Sequence, residues 1–302
     1  MRGDSTVFGA VWSARVADVA VVTDSTSYLP GALVDSLGIT VVSQYYDVGG
    51  GLLRESEFDG DFRRFYAELD ASKNIATTSA PTVEDFVVAC DRLLQQHRAV
   101  VSVLISSGIS ETCSMARQAA SKLEDDDAER VVVIDSAGFG GHLGLQALVA
   151  ARAAAGGADS EGVIERVRQA RKEVKGWGLV DTLEYLRRSN RVGTVAAWVG
   201  SALDLKPILT IESELKALER VRTRRRGIER LIELMRQHRA AGADRWFVQH
   251  AYAHEDAKQL SERLTELIGT EPAFVSELGP VVATHVGPGA LLVGGLPGAA
   301  LR

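Results

Sequence analysis

The first half of the chain alternates between short apolar runs and segments in which apolar residues recur at helical spacing. The apolar runs, which are rich in β-branched residues, lie at 17–24, 39–42, 100–105 and 131–134. Such runs predict strands that are covered on both faces. Apolar residues recur every three or four positions from Phe62 to Leu69 and from Val83 to Leu94, which predicts intervening helices. We therefore expect a Rossmann-like parallel sheet layer with helices on both faces.

The pattern changes after a segment of small residues and turn formers at 151–162. We predict a domain boundary there, which divides the chain into a flexible extension (1–15), an N-terminal α/β domain (16–156) and a C-terminal domain (157–302). Strand candidates in the C-terminal domain lie at 177–180, 215–223, 246–250 and 290–293. Because helical segments interleave them, this domain is expected to be mixed α/β (α+β). Ligands bind beyond the C-terminal ends of parallel strands, so we expect the ligand between the two domains.

Composition and charge narrow the possible functions. The 302 residues are 46% apolar and 25% charged, which is typical of a globular protein. The 34 Lys and Arg residues against 40 Asp and Glu residues give a net charge of −6. This charge argues against nucleic acid as a partner and leaves at most transient contact with a membrane surface.

Cysteine usage and the start of the chain favour a cytoplasmic protein. Cys90 and Cys113 permit at most one disulfide and form no CxxC pair, which favours a reducing compartment. Asp4 stands where a signal peptide needs positive charge, and Arg15 interrupts the apolar run. The most apolar window, 281–301, contains glycines, prolines and a histidine, so we predict buried strand and loop there rather than a membrane span.

Four short stretches contain the candidate chemistry. They are TDST (23–26), TTSAPT (77–82), SSGISETCSMA (106–116) and THVGPG (284–289). The first follows a predicted strand and either binds a ligand or caps the helix near Leu33. In the second, Pro81 and Thr82 predict a helix start, and Thr78 and Ser79 are expected in the preceding loop with free hydroxyls.

The third stretch follows a predicted strand and opens a helix. Gly108 to Thr112 resembles the GxSxG nucleophile elbow of hydrolases but lacks its last glycine. Ser110 is otherwise a helix cap whose hydroxyl can also donate to an anion, because a helix start favours negative charge. Glu111 would repel that anion unless the helix turns it to another face. In the fourth stretch, His285 precedes a rigid turn and is either a ligand donor or a structural histidine.

Three further patterns receive a structural interpretation. GFGGHLG (138–144) lacks the spacing of a dinucleotide motif and favours close packing at a helix start. His250 and His254 straddle a strand end and a helix start without an HExxH pattern, so no metal site is predicted. In RVRTRRRG (220–227), Arg220, Arg222 and Arg224 lie on one face of a possible strand. That face is either solvated or docks an acidic or phosphorylated partner.

Taken in this order, the stretches resemble those of the DegV family of bacterial fatty-acid-binding proteins, from about residue 18 onward. Residues 78–81 are similar to the family's Thr-Ser-Gln-Pro, and 106–115 to its Ser-Ser-x-Leu-Ser-Gly-Thr-x-Gln. VDTLEYLRRSNRVG (180–193) is similar to its Leu-x-Tyr-Leu-x-x-Gly-Gly-Arg-Ile. TDST, VRT at 221–223 and THVGPG complete the resemblance.

The resemblance implies a two-domain protein that encloses one long-chain fatty acid and uses no cofactor. The carboxylate of the acid would be held by Thr78, Ser110 and His285, with Ser79 beside them. A buried carboxylate needs such donors, because removing it from water without hydrogen bonds is costly. The apolar tail would supply most of the affinity.

The same resemblance implies that the protein is not an enzyme. It would present the bound acid to a separate ATP-dependent fatty acid kinase, which makes the acyl phosphate. Arg191 and Arg222 match family arginines of the partner-docking or head-group region. We expect a cytoplasmic monomer.

The chain also departs from the family pattern, and two other functions stay open. The departures include Ala80, Glu111, His142 and Ser189-Asn190. We expect them to affect acyl length and partner choice more than the fold. The alternatives are a serine esterase with Ser110 as nucleophile and His285 as base, and a phosphate-ligand binding module that uses 138–144.

Overall fold

The computed structural model describes residues 17–72, 76–189 and 205–301 of the chain. Its strands are β1 (Val19–Asp24), β2 (Ile39–Val42), β3 (Tyr45–Asp47), β4 (Leu53–Arg54), β5 (Thr77–Ser79), β6 (Ala99–Leu104), β7 (Val131–Asp135), β8 (Lys175–Leu179), β9 (Lys206–Ile211), β10 (Leu215–Val221), β11 (Ala243–His250), β12 (Phe274–Glu277) and β13 (Leu291–Pro297). Its α-helices are α1 (Gly31–Leu37), α2 (Phe62–Ala71), α3 (Val83–Leu94), α4 (Thr112–Ala120), α5 (Asp125–Ala128), α6 (Gly141–Ala155), α7 (Ser160–Glu173), α8 (Glu184–Arg188), α9 (Arg224–Ala240), α10 (His254–Ile268) and α11 (Pro280–Val286). The strands form three sheets.

The N-terminal sheet is parallel, with the strand order β2-β1-β6-β7. Strands β1 and β6 are buried along their whole length, as their unbroken apolar runs predict. Alternate residues of β1 enter two different apolar clusters: Ala20 and Val22 pack with α3 and α4, whereas Val19 and Val21 pack with α6. The prediction of a parallel sheet with helices on both faces is therefore confirmed.

A small antiparallel sheet has the strand order β4-β3-β5, and its strands lie between β2 and β6 in the sequence. Thr78 and Ser79 belong to its strand β5, where Thr78 pairs with Tyr46. The prediction that both residues lie in a loop is wrong. A strand of three polar residues has no apolar alternation, so periodicity could not reveal it. The following helix start is as predicted, because Thr82 caps α3 in a capping box with Asp85.

The C-terminal sheet is mixed, with the order β10-β9-β8-β13-β11-β12. Its pairs are antiparallel except β11 with β12, which run parallel. The four strands predicted in this half correspond to β8, β10, β11 and β13, whereas β9 and β12 were not predicted. The mixed α/β character expected of the second half is confirmed.

Helix α6 joins the two larger sheets. Its residues are buried on almost every side, and it contacts β1 and β6 of one sheet and β8, β11 and β13 of the other. Residues 151–155, predicted as part of a boundary segment, form the last turns of this helix because alanine is a strong helix former. The intervening turn spans 156–159, before α7. The domain limits 16–156 and 157–302 stay a prediction.

The most apolar stretch near the C-terminus contains a helix that sequence analysis did not predict. Pro280 opens α11, where its missing N–H is tolerated, and Gly287 ends the helix with a φ of +72°. Strand β13 follows, so the prediction of strand and loop for 281–301 is correct only after residue 286. Within the described residues, no helix combines the length and apolar character needed to cross a membrane.

Candidate functional site

A cavity of about 530 Å³ lies where strand β5 and the segments after β2 and β6 meet α11 and other parts of the second half of the chain. Its apolar lining residues are Ala80, Ile105, Ile109, Phe139, Leu186, Leu215, Val281, Val282 and Val286. Its polar lining residues are Gln44, Thr78, Ser79, Ser107, Ser110, Glu111, Ser114, Arg117 and His285. This volume lies within the range of small-molecule sites, which are usually apolar with a few placed polar groups.

Thr78 and His285 meet at the cavity although 207 positions separate them in the chain. The Oγ1 atom of Thr78, on β5, lies 2.8 Å from Nε2 of His285, on the last turn of α11. The pair therefore offers a hydroxyl and an imidazole to one anionic group.

Ser110 is fixed by Thr112 at the start of α4. Its Oγ lies 2.8 Å from Oγ1 of Thr112 and accepts the backbone N–H of Thr112 at 3.3 Å. Thr112 Oγ1 in turn accepts a hydrogen bond of 3.0 Å from Nε2 of Gln44. Either hydroxyl can be the donor between Ser110 and Thr112. Because Thr112 Oγ1 already accepts from the Gln44 amide, donation by Thr112 to Ser110 Oγ is the arrangement that leaves the Ser110 proton available to a ligand in the cavity.

Asp24 is the buried acceptor that holds Gln44, and through it Thr112 and Ser110, in place. It is fully buried, and its carboxylate accepts hydrogen bonds from Gln44 Nε2 at 3.2 Å and from the Ile105 backbone N–H at 2.7 Å. Burial raises the pKa of Asp24, although these donors act in the opposite direction. Asp24 also caps the 3₁₀ turn Ser25–Ser27, so the predicted cap of the helix near Leu33 is wrong. Helix α1 instead follows Pro30.

A second buried carboxylate holds the helix that contains His285. Oε1 of Glu55 accepts the Val281 backbone N–H at 2.8 Å and the Tyr28 hydroxyl at 2.9 Å. The Tyr28 hydroxyl oxygen also accepts the Val282 backbone N–H at 3.0 Å. Burial raises the pKa of Glu55 to about 7. Side chains from the first half of the chain thus satisfy the first N–H groups of α11.

The structure brings together four of the six residues singled out from the sequence. Thr78, Ser79, Ser110 and His285 all line the cavity. Arg222 is exposed in the turn between β10 and α9 and does not line it. Arg191 lies outside the described residues.

The arginine-rich segment does not form the single strand face that was predicted. Strand β10 ends at Val221, and Thr223 caps α9, which begins at Arg224. Arg224 is partly buried and binds Asp181 at 3.0 Å and Asp256 at 2.6 Å. The two-residue alternation expected of a strand does not apply here, because the chain changes from strand to helix within the arginine-rich segment.

Sequence reasoning missed Gln44 and Arg117 at the cavity, and it left the direction of Glu111 open. Glu111 lines the cavity and is exposed, so solvent screens its charge. Arg117, also exposed on α4, adds the opposite charge to the same lining. His142 does not line the cavity: it is buried against Gly138 and Gln146, and burial lowers its pKa to about 3.

The geometry favours neither alternative function. Nε2 of His285 is hydrogen-bonded to Thr78, whereas Ser110 is bonded to Thr112, which is not the nucleophile–base contact of an esterase. A Cβ atom at Gly141 would lie 2.2 Å from the Phe247 ring, and its N–H is taken by Gln249 Oε1 at 2.6 Å. The glycines of 138–144 therefore serve close packing, as predicted, rather than phosphate binding.

The fold and the site define a class of protein: an α/β chain whose parallel and mixed sheets share a buried helix and border one cavity with both polar and apolar walls. The family model described as "Uncharacterised protein, DegV family" matches residues 18–297. The chain belongs to the DegV family, which confirms the resemblance drawn from its motifs.

Relatives of known name match over nearly their whole length. Protein DegV of Bacillus subtilis is 33% identical over 277 residues, which cover 91% of this chain and 97% of that protein. A DegV domain-containing protein of Mycobacterium bovis is 35% identical over 280 residues, which cover 90% of this chain and 95% of that protein.

Solved structures have the same fold. A DegV family protein from Thermus thermophilus, described as fatty acid binding, superposes with a TM-score of 0.83 at 29% identity, covering 93% of this chain and 99% of its own. DegV of Bacillus subtilis, described as a fatty acid binding protein, gives 0.82 at 31% identity, with the same coverage.

Proposed function

We propose that the protein binds one long-chain fatty acid, with the carboxylate at Thr78, Ser79, Ser110 and His285. The observation behind the proposal is that one cavity places these hydroxyl and imidazole groups beside nine apolar side chains. The fatty acid binding described for the Thermus and Bacillus relatives supports it.

The polar and apolar linings have different tasks in this proposal. A buried carboxylate without donors is costly, so the hydroxyls of Thr78 and Ser110 and the imidazole of His285 compensate for the lost water. The apolar lining then binds the tail. At about 0.8 kcal/mol per buried methylene, a chain of about 16 carbons gains on the order of 12 kcal/mol before ordering costs. The head group mainly fixes the orientation of the acid.

The protein itself performs no chemistry on the acid in this proposal. It presents the carboxylate to an ATP-dependent fatty acid kinase, which forms the acyl phosphate. Arg222, exposed between β10 and α9, and Arg191 are the candidate residues for docking that kinase. The protein acts as a cytoplasmic monomer without a cofactor of its own.

The head-group assignment is tested by fatty-acid affinity in Thr78→Ala and Ser110→Ala. Each variant removes one donor, which is worth about 1 to 3 kcal/mol, so the dissociation constant should rise by about 5-fold to 100-fold. Ser121→Ala, at the exposed end of the same helix α4, is the matched control and should leave the affinity unchanged. Unaltered affinity in both cavity variants would show that the assignment is wrong.

The kinase step is tested separately by acyl-phosphate formation in a reconstituted reaction. With a fatty acid kinase and ATP, the product should form only when this protein supplies the acid. Arg222→Glu should lower the rate and leave fatty-acid affinity intact, because the side chain does not line the cavity. Equal rates with free fatty acid and with the loaded protein would exclude the presentation role.

A further inference from the structure

His250, His254 and Glu277 converge on a site that the fatty-acid cavity does not include. His250 and Glu277 end the parallel strands β11 and β12 and are paired in register. His254 begins α10, directly after the turn that follows β11. One ligand atom from each of the three side chains lies within 4.8 Å of the other two. Sequence analysis predicted no metal site because it considered the two histidines without Glu277, which is distant in the chain.

The candidate ligand atoms of these side chains lie close to one another. Nδ1 of His250 accepts the Ala253 backbone N–H at 3.4 Å, so this nitrogen is unprotonated, and it lies 3.8 Å from Oε1 of Glu277. Oε2 of the same carboxylate lies 3.1 Å from Nε2 of His254. An imidazole nitrogen has a single lone pair, so an ion bound at Nδ1 of His250 would replace the long contact from the Ala253 N–H.

We propose that His250, His254 and Glu277 form a binding site for one divalent transition-metal ion of the zinc type. Two imidazoles and one carboxylate are a ligand set that such ions use, with bonds of about 2.0 to 2.2 Å. Donors around a tetrahedral ion are then roughly 3.4 Å apart. His254 is 66% exposed and can rotate to close the remaining distance.

The surroundings suit a bound ion. A surface depression of about 260 Å³ lies beside the two histidines and leaves room for water as a further ligand; Lys258 and Glu262 also line it, and Glu277 does not. The Tyr252 backbone N–H, which is not a ligand, donates to Oε1 of Glu277 at 3.1 Å and so holds the carboxylate in place. Such supporting contacts orient metal ligands. Glu255 and Asp256 in the first turn of α10 offset the positive end of that helix.

The metal would link three elements at a contact between the two halves of the chain. It joins the ends of β11 and β12 to the start of α10. Tyr252, between the two histidines, packs its ring 5.6 Å from that of Tyr66 on α2. Because the ligands lie apart from the cavity lining, the role is structural, and fatty-acid binding does not require the ion.

The test is calorimetric titration of the untagged, chelator-treated protein with Zn²⁺, and with Mg²⁺ for comparison. We expect one Zn²⁺ per chain and no saturable binding of Mg²⁺, which prefers oxygen ligands. His254→Ala and Glu277→Gln should each weaken Zn²⁺ binding by about tenfold or more. Zn²⁺ should also raise the thermal unfolding temperature of the wild type but not of either variant.

Matched controls separate a metal site from a surface ion pair. Glu255→Gln removes an acidic group next to His254 without touching the ligand set and should keep the wild-type Zn²⁺ affinity. Fatty-acid affinity should be unchanged in His254→Ala, whose exposed position makes misfolding a minor concern. Absence of saturable Zn²⁺ binding by the wild type, or binding that neither ligand variant weakens, would overturn the proposal.

Discussion

The two sides of the candidate head-group site are held in place differently. Ser110 depends on the chain of hydrogen bonds from Asp24 through Gln44 and Thr112, all of which lie in the first half of the sequence. His285 depends on α11, a helix from the second half whose first N–H groups bind Glu55 and Tyr28 of the first half. One side is supported locally within its own sheet layer, and the other is supported across the two halves.

The two anchoring carboxylates show what this difference means. Asp24 accepts backbone and side-chain donors on both oxygens, and it fixes the strand ends of the N-terminal sheet. Glu55 fixes the position of one half against the other, and its pKa of about 7 makes that contact sensitive near neutral pH. Loss of the Asp24 contacts should therefore lower the stability of the folded protein, whereas the contacts that position His285 should depend on pH.

Asp24→Ala is expected to have the largest effect. The change leaves the Ile105 and Thr26 N–H groups and the Gln44 amide without their acceptor in a fully buried site. We expect the free energy of unfolding to fall by about 4 kcal/mol. Urea denaturation measures it, and Asp35→Ala, an exposed aspartate on α1, should change it by less than about 0.5 kcal/mol. A small loss in Asp24→Ala would contradict the local-support account.

The pH dependence of stability tests Glu55. Its folded pKa of about 7 lies above the ordinary value of 4.5, so the folded state binds the proton more tightly. The stabilisation is complete below about pH 4.5 and is lost as pH rises through 7, by about 3 kcal/mol. Glu55→Gln, which stays neutral, should lack this loss.

Urea denaturation at pH 5 and pH 8 compares Glu55→Gln with the wild type and with Glu57→Gln. Glu55 and Glu57 belong to the 3₁₀ turn Glu55–Glu57, in which Glu57 is exposed, so its variant should keep the wild-type pH dependence. An equal change in the free energy of unfolding between pH 5 and pH 8 in all three proteins would show that Glu55 does not ionise in this range.

Gln44→Leu should have the smallest effect of the three. Without the Gln44 amide, Thr112 Oγ1 loses its donor and can accept the Ser110 proton instead, which turns that proton away from the ligand. Fatty-acid affinity should fall about 5-fold, equivalent to about 1 kcal/mol. Gln118→Leu, exposed on α4, is the control for binding assays. Full affinity in Gln44→Leu would mean that Ser110 is not oriented through Thr112.

The parallel sheet was accessible from the sequence because its strands are continuous apolar runs that local periodicity detects. The small sheet β4-β3-β5 was not, since its strands have only two or three residues, too few to show an alternation of apolar and polar positions. Strands β9 and β12 also escaped, as did helix α11, which packs against α8 of the second half and β3 and β5 of the first half. The local pattern of apolar residues therefore predicts elements whose burial shows in their own sequence, and not those whose burial depends on distant parts of the chain.

The site shows the same division. Thr78, Ser110 and His285 were found through the motif resemblance, since each hydroxyl or imidazole alone suits a cap or a structural role equally well. Gln44, Glu55 and Tyr28 were missed because they act through partners far away in sequence, such as Glu55 with Val281, 226 positions apart. No spacing rule connects such pairs; only the folded chain brings them together.

The central claim concerns the ligand, and native mass spectrometry of the purified protein tests it most directly. The proposal predicts a mass excess equal to one long-chain fatty acid, with that acyl chain recovered after denaturing extraction. A protein that keeps its unliganded mass after incubation with long-chain fatty acids, and that yields no acyl chain on extraction, would contradict it.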